Sequence, residues 1–312
     1  MPSVQAPATV LVTGANGFVA AWVCKSFLDA GYTVRKWFSV SISGTVRSQS
    51  KGEQLASIFK GSEGRFEYAI VEDMIVCSMK DVQGVLHLAC PTTFIADDPQ
   101  EFIRPALNGT LSVLESIGKH APGVRRVVYT SSAAAIIDES KPLGTFFTDD
   151  NWNELSVKEV EKNGRNAGKH KYRASKVLAE RAAWSEAEKQ DRWDLVAIHP
   201  AVTLGPIIHP ISGPSQLNTS ISMLYNIISK SDSELSKEEL LTFNNFGDVR
   251  DVALAHLRAM QYENAGGQRF ITANGAYTWQ DARKHPVLGN PCSQSMHFPR
   301  RIREVFQARG RP

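Results

Sequence analysis

Two residues four apart set the first chemical question: Tyr172 and Lys176, in the run Tyr172-Arg173-Ala174-Ser175-Lys176. On a helix that spacing places both on one face. A free phenol ionises near pH 10, too high for easy proton exchange at neutrality. An ammonium ~4 Å away, at an effective dielectric of ~20, is worth about 4 kcal/mol at the upper end. Lys176 would therefore ease proton release from Tyr172 and suit it to general acid work. A second element carries hydroxyls: Val127-Val128-Tyr129-Thr130-Ser131-Ser132-Ala133 reads as a strand ending in serines. In an open α/β sheet ligands sit beyond the carboxyl ends of the strands, which is where Ser132 would meet a carbonyl oxygen. Taken singly, these are also a helix-surface pair and a serine-rich strand cap.

A third group of residues is small. Gly14-Ala15-Asn16-Gly17-Phe18-Val19-Ala20 lies between the β-branched run Ala8–Thr13 and a stretch, Gly17–Ala30, with apolar residues at helical spacing. Small residues there let the backbone approach a pyrophosphate, and the helix N-terminus adds free N–H groups and partial positive charge. The context points to dinucleotide binding; a glycine-containing turn that binds nothing is the plain alternative. Cofactor choice falls to the end of the second strand, where an acid selects NAD and a base accepts the extra phosphate of NADP. No Asp or Glu lies between Gly31 and Gly52, whereas Arg47 and Lys51 do, so NADP is expected. The spacing is long: Gly17 to Arg47 is 30 positions against the usual ~20. Lys36–Ser43 reads as extra residues between two copies of Thr-Val-Arg, so either the strand slides to use the second copy or the segment bulges, with Arg35 as a substitute for Arg47.

The elements that must hold these groups alternate. Strand-like runs at Phe66–Val71, Gly84–Ala89, Val124–Thr130 and Trp193–Ile198 are separated by helical patterns at Pro105–Lys119 and Tyr172–Lys189. Such alternation gives a parallel sheet covered on both faces: an α/β, Rossmann-type doubly wound sheet. After Gly205-Pro206 the pattern changes, with a helical patch at Ser220–Ser229, a loop leading into an amphipathic helix over Phe246–Met260, and no persuasive pattern from Gly275 onward. The expected division is a dinucleotide-binding domain over 8–205 plus 246–262, and a substrate-binding lobe over 206–245 and 263–312 whose C-terminal part is irregular.

Composition excludes several classes. The chain has 312 residues, 42% hydrophobic and 21% charged, and 35 Lys+Arg against 32 Asp+Glu leave a net charge of +3. That is a globular composition too balanced to argue for nucleic acid. No apolar run reaches the ~18 residues a membrane span needs, and the first residues lack a signal-peptide pattern. Four scattered cysteines, Cys24, Cys77, Cys90 and Cys292, form no Cys-x-x-Cys pair, which argues against a disulfide framework or a zinc site and for the reducing cytoplasm.

The ordered motifs Gly14–Ala20, His87-Leu88-Ala89-Cys90-Pro91, Thr130–Ala133, Tyr172–Lys176 and His199–Pro206 together resemble the extended short-chain dehydrogenase/reductase superfamily. Within it the chain is most similar to the dihydroflavonol reductase/cinnamoyl-CoA reductase branch, and there to fungal NADPH-dependent aldehyde and ketone reductases. The resemblance covers about residues 8–275. It implies Ser132 and Tyr172 as the carbonyl-polarising and proton-donating residues, with Lys176 supporting Tyr172 and holding the ribose. It implies Gly14, Gly17, Phe18 and Val19 at the pyrophosphate, Arg47 and Lys51 at the 2′-phosphate, and Asp73 and Met74 near the adenine. Leu88, Ala89 and Cys90 would line the cofactor cleft, and Pro200 and Val202 the nicotinamide end. Departures are the Lys36–Ser43 segment, a short stretch between Met74 and Gly84, and a family pattern that fades after Ala282, which implies a small, truncated C-terminal substrate lobe.

The function so implied is reduction of an aldehyde or ketone by NADPH, with a small-molecule partner. A sugar-nucleotide epimerase or dehydratase on the same scaffold is the first alternative. Against it, Ser132 is followed by Ala133-Ala134-Ala135 where dehydratases usually carry acids, and 206–245 holds no basic cluster for a nucleotide diphosphate. The second is a non-catalytic NADP-binding protein. Among the remaining residues, Asn108 is a candidate bridge behind Lys176, and His199 and His209 are turn histidines near the pocket mouth. Trp152 is expected to pack over the domain boundary, and Asp248-Val249-Arg250-Asp251 to open a helix.

Overall fold

Val10, Leu11 and Val12, successive residues of strand β1 (Thr9–Thr13), are all fully buried, because the strand is covered on both faces. Side chains alternate across a strand, and the core divides accordingly. Val10 and Val12 join one cluster with Val23, Phe27 and Met260, while Leu11 joins another with Val85, Val113 and Ile117. A computed structural model describes residues 3–37, 57–62, 64–69, 79–90, 96–142 and 144–284 of the chain.

After β1 come α1 (Phe18–Asp29), β2 (Thr33–Trp37), β3 (Phe66–Ala69) and β4 (Gly84–His87). Next are α2 (Gln100–His120), β5 (Arg126–Thr130), α3 (Glu154–Asn163), α4 (His170–Glu188) and β6 (Asp194–Pro200). A seven-stranded sheet runs β3-β2-β1-β4-β5-β6-β9, where β9 is Arg269–Thr272. Every pairing in it is parallel. Helices α2 and α4 pack together on one face; α1 packs with α7 (Val249–Gln261) on the other. The strand order reverses between β1 and β4, which opens a crevice at their carboxyl ends.

A smaller sheet, β10-β8-β7, combines β7 (Val202–Leu204), β8 (Phe243–Asp248) and β10 (Gly275–Thr278). It packs with α5 (Thr219–Ser229), α6 (Lys237–Leu241) and α8 (Trp279–Lys284) around Leu204, Leu224, Phe246, Tyr277 and Trp279. At the amino ends of β5 and β6, Arg126 is wholly buried and forks onto Asp194 at 2.7 and 2.6 Å, while also donating to Ala259 O at 2.8 Å. This clasp ties the sheet to α7 at the end remote from the crevice.

The structure shifts several sequence expectations. Strand β2 takes the first Thr-Val-Arg copy, because Thr33 and Val34 align with Thr9 and Val10 of β1. Arg35 is thus mid-strand, and its guanidinium donates to Lys80 O at 2.5 Å, ahead of β4. It therefore does not stand at the strand end as a substitute for Arg47. The bulged alternative and the short Met74–Gly84 stretch fall largely outside the described residues. Helix α2 starts at Gln100 and takes Pro105 inside; the carbonyl that proline leaves unpaired belongs to the exposed Glu101. Phe246–Asp248, read as loop, is strand, since Phe246 pairs with Val202 on one side and Gly275 on the other. The domain boundaries move with it. Residues 269–272, assigned to the second lobe, form the edge of the large sheet, while β7, assigned to the first, belongs to the small one.

Candidate active site

Strand β1 ends at Thr13, and its hydroxyl organises the crevice. Thr13 Oγ1 accepts Leu88 N–H at 3.1 Å and Ala89 N–H at 3.0 Å. With both lone pairs engaged, its own proton goes to His87 Nδ1, 2.8 Å away. The network thus places the proton of a neutral His87 on Nε2, a buried atom with no partner among the described residues. Burial first, and then the Lys176 charge, hold the His87 pKa down to about 4.

The next residue, Gly14, has φ of +66°. A Cβ there would stand 2.8 Å from Ala89 Cα, so only glycine lets the turn close against β4. Gly17 is the N-cap of α1, Gly17 N donates to Gly14 O at 2.9 Å, and no side chain caps the helix. The first turn of α1 carries no acid. An uncapped N-terminus behind a glycine turn suits an anionic phosphate, so the residues present fit the pyrophosphate of a dinucleotide. Phe18 is buried and Val19 half-buried. The chain beyond Gly205 folds back over this region: Trp22 Nε1 donates to Pro206 O at 2.8 Å, and the Phe18 and His209 rings lie 6.0 Å apart.

Ser132, half-buried just past β5, caps a 3-10 turn over Ala133–Ala135, and its Oγ accepts Ala134 N–H at 3.1 Å. That leaves the Ser132 proton to be donated. The turn packs on α4, where Lys176 Nζ lies 5.8 Å from the centre of the Tyr172 ring. Lys176 is 5% exposed and Tyr172 half-buried. Burial pushes the Lys176 pKa down. The neighbouring Cys90, Tyr172 and Tyr129 groups outweigh it, so the net shift is upward. Cys90, half-buried past β4, thus approaches the ammonium, whereas the half-buried Leu88 packs against the cluster of Val23, Phe27 and Met260 on the other face. Pro200 ends β6 and Val202 begins β7, with Ala201 N–H between them donating to Thr272 O at 3.0 Å.

Gly14 thus lies against Ala89, Cys90 and Tyr172 lie beside Lys176, and the turn that Ser132 caps packs on α4. Arg47, Lys51, Asp73 and Met74 lie outside the described residues. Asn108 does not join the set: it is exposed on α2, and Thr110, two residues on, is the buried polar group of that helix. Trp152 packs between guanidinium groups, 3.9 Å from Arg269 Cζ and 5.0 Å from Arg181 Cζ. Asp248 does open a helix, accepting Arg250 N–H at 2.8 Å. Among the described residues no cluster could hold a metal ion, and no helix is long and apolar enough to cross a membrane.

Sequence reasoning passed over Thr13, His87, Glu180 and Arg269. Glu180 left a trace, since it continues the four-residue spacing of Tyr172 and Lys176 on α4. Arg269 left none, because a basic residue opening a short strand reads as surface.

A doubly wound parallel sheet with a glycine turn at its switch point defines an α/β protein of the dinucleotide-binding type. The chain belongs to the NAD dependent epimerase/dehydratase family, whose model matches residues 10–272. Among curated relatives, the NADPH-dependent methylglyoxal reductase of Saccharomyces cerevisiae is 34% identical, covering 93% of this chain and 88% of its own. A cinnamoyl-CoA reductase of Medicago truncatula is also 34% identical, covering 86% and 77%. The crystal structure of the yeast methylglyoxal/isovaleraldehyde reductase complexed with NADPH superposes with a TM-score of 0.75 at 30% identity, covering 91% of this chain and 86% of the other. These likenesses place the chain in the dihydroflavonol reductase/cinnamoyl-CoA reductase branch.

Proposed function

We propose that this protein is an NADPH-dependent carbonyl reductase acting on small aldehydes or ketones in the cytoplasm. The observation that carries the reading is the buried Lys176 beside the Tyr172 ring, on a helix packed against the turn of Ser132. Relatives named for methylglyoxal reduction with NADPH support the substrate class and the cofactor.

Gly14, Gly17, Phe18 and Val19 would hold the pyrophosphate, and Leu88, Ala89 and Cys90 would line the cleft. Arg47 and Lys51 are assigned the 2′-phosphate, Asp73 and Met74 the adenine, and Pro200 and Val202 the nicotinamide end. When bound, the reduced nicotinamide supplies a hydride from C4 to the carbonyl carbon. Ser132 donates its hydroxyl proton in a hydrogen bond to the carbonyl oxygen, and Tyr172 transfers its phenolic proton to that oxygen as charge builds there. Lys176 holds a positive charge beside Tyr172, which stabilises the phenolate that remains. Carbonyl carbon gains hydride, oxygen gains a proton, and the product is an alcohol.

Purified protein incubated with NADPH and a panel of methylglyoxal, aliphatic and aromatic aldehydes and simple ketones tests the assignment. Carbonyl-dependent loss of the 340 nm absorbance of NADPH is expected with at least one class. Binding of NADPH without oxidation by any of them would overturn the reductase reading.

A further inference from the structure

One helical turn beyond Lys176, the carboxylate of Glu180 is completely buried and collects donors from three other elements. Its Oε2 accepts Ser131 Oγ–H at 2.5 Å and faces His199 Nε2 at 2.8 Å, while its Oε1 accepts Arg269 Nε–H at 2.7 Å and Trp184 Nε1–H at 3.2 Å. Arg269 Nη2 also lies 3.2 Å from His199 Nε2. Arg269 is itself fixed, donating to Asn151 O at 2.8 Å and to Asp149 O, and stacking on Trp152.

The placement of the partners is what matters. Ser131 precedes Ser132 just past the end of β5, His199 precedes Pro200 on β6, and Glu180 shares the face of α4 with Tyr172 and Lys176. We propose that Glu180, with Ser131, His199 and Arg269, is a positioning node that sets Ser132 against Tyr172 and Lys176 and holds both to the strand end at Pro200. The proposal rests on the reductase reading of that set.

A buried ion cluster is weak evidence for stability, because desolvating its charges offsets much of their attraction, and apolar groups of like volume often serve as well. What such a cluster supplies is direction. Each donor must point at one carboxylate, so α4, β5, β6 and β9 are held in one relative setting. Burial alone would raise the Glu180 pKa. His199 and Arg269 outweigh it and hold the carboxyl down to about 2, so the node keeps its charge across any working pH.

The test is a single-turnover measurement, with enzyme–NADPH complex mixed with a saturating aldehyde that the native protein reduces. The rate constant of hydride transfer reports geometry, whereas the amplitude reports the folded, loaded fraction. In Glu180→Gln, which keeps the shape and removes the charge, the rate constant is expected to fall about 10-fold or more while NADPH affinity stays within roughly 2-fold. Ser131→Ala, which leaves every charge in place, is expected to lower the rate constant by about 3-fold or more, and it decides the question alone should Glu180→Gln not fold. An unchanged rate constant, with only amplitude or melting temperature lost, would assign the node a purely structural role and overturn the proposal. Absence of any turnover in the native protein would be a separate result, failing the reductase reading itself.

Discussion

Replacing the Tyr172 phenol with a benzene ring is the sharpest change available at the residue scale. Tyr172→Phe removes one oxygen and keeps the ring beside Lys176, so NADPH affinity should hold while kcat falls by about 10²- to 10⁴-fold, the usual share of a general acid. Parallel fluorescence titration and steady-state rates check both halves. Turnover within a factor of about two of the native enzyme would remove Tyr172 from the chemistry. At this scale much was legible. The Tyr/Lys spacing, the serine at a strand end and the glycine turn are short-range patterns whose geometry follows from helix and strand periods. Glu180 and Arg269 were not, because their meaning depends on partners 89 positions apart in the chain. Thr13 and His87 were hidden for the same reason, lying 74 positions apart.

Elements carry the next test. The turn joining β1 to α1 needs a left-handed residue at Gly14 and leaves no room for a Cβ against Ala89. Handedness alone costs a non-glycine residue roughly 1–2 kcal/mol, and a β-branched side chain more. Gly14→Val should therefore displace the end of β4 and weaken NADPH binding by about 10-fold or more, the equivalent of ~1.4 kcal/mol. Isothermal titration reads it directly, and an unchanged dissociation constant would deny that this turn cradles the cofactor. Strand and helix positions in the first two thirds followed from alternation of apolar runs. The errors fall where a local pattern had two solutions. Two copies of Thr-Val-Arg offered two registers for β2, and only pairing with Thr9 and Val10 selects the first. Strand β8 carries no apolar alternation over Phe243–Asp248, and is a strand because β7 and β10 flank it.

For the whole molecule, buried histidines make acid sensitivity the measurable consequence. Burial lowers His87 to about 4, with the Lys176 charge adding to it, and burial lowers His256 to about 4 against the opposing hydrogen bond to Val252 O. An unfolded histidine titrates near 6.5, so between the two values the unfolded chain binds more protons than the folded one. Stability should then be complete above about pH 6.5 and fall as pH drops toward 4, by on the order of 3 kcal/mol for each ring. Glu180, held at about 2, contributes its own loss only below the usual carboxylate range near 4.5, so the histidines dominate the upper part of the window. Melting temperatures at pH 7.5, 6.5, 5.5 and 4.5 check this. A flat profile down to 4.5 would mean that neither ring is buried as a neutral base. Domain division was the least legible property at this scale, because β9 returns to the large sheet after the chain has already built most of the small one.

The central claim is transfer of hydride to a carbonyl held by Ser132 and Tyr172, and isotopic labelling tests it most directly. The native protein and Tyr172→Phe are each given NADPH deuterated at one or the other C4 position, with an aldehyde that the native protein consumes. Deuterium is expected on the carbinol carbon of the product from one of the two labelled forms only, with label transfer almost abolished in Tyr172→Phe. Product without label from either form, or equal transfer by the variant, would contradict it.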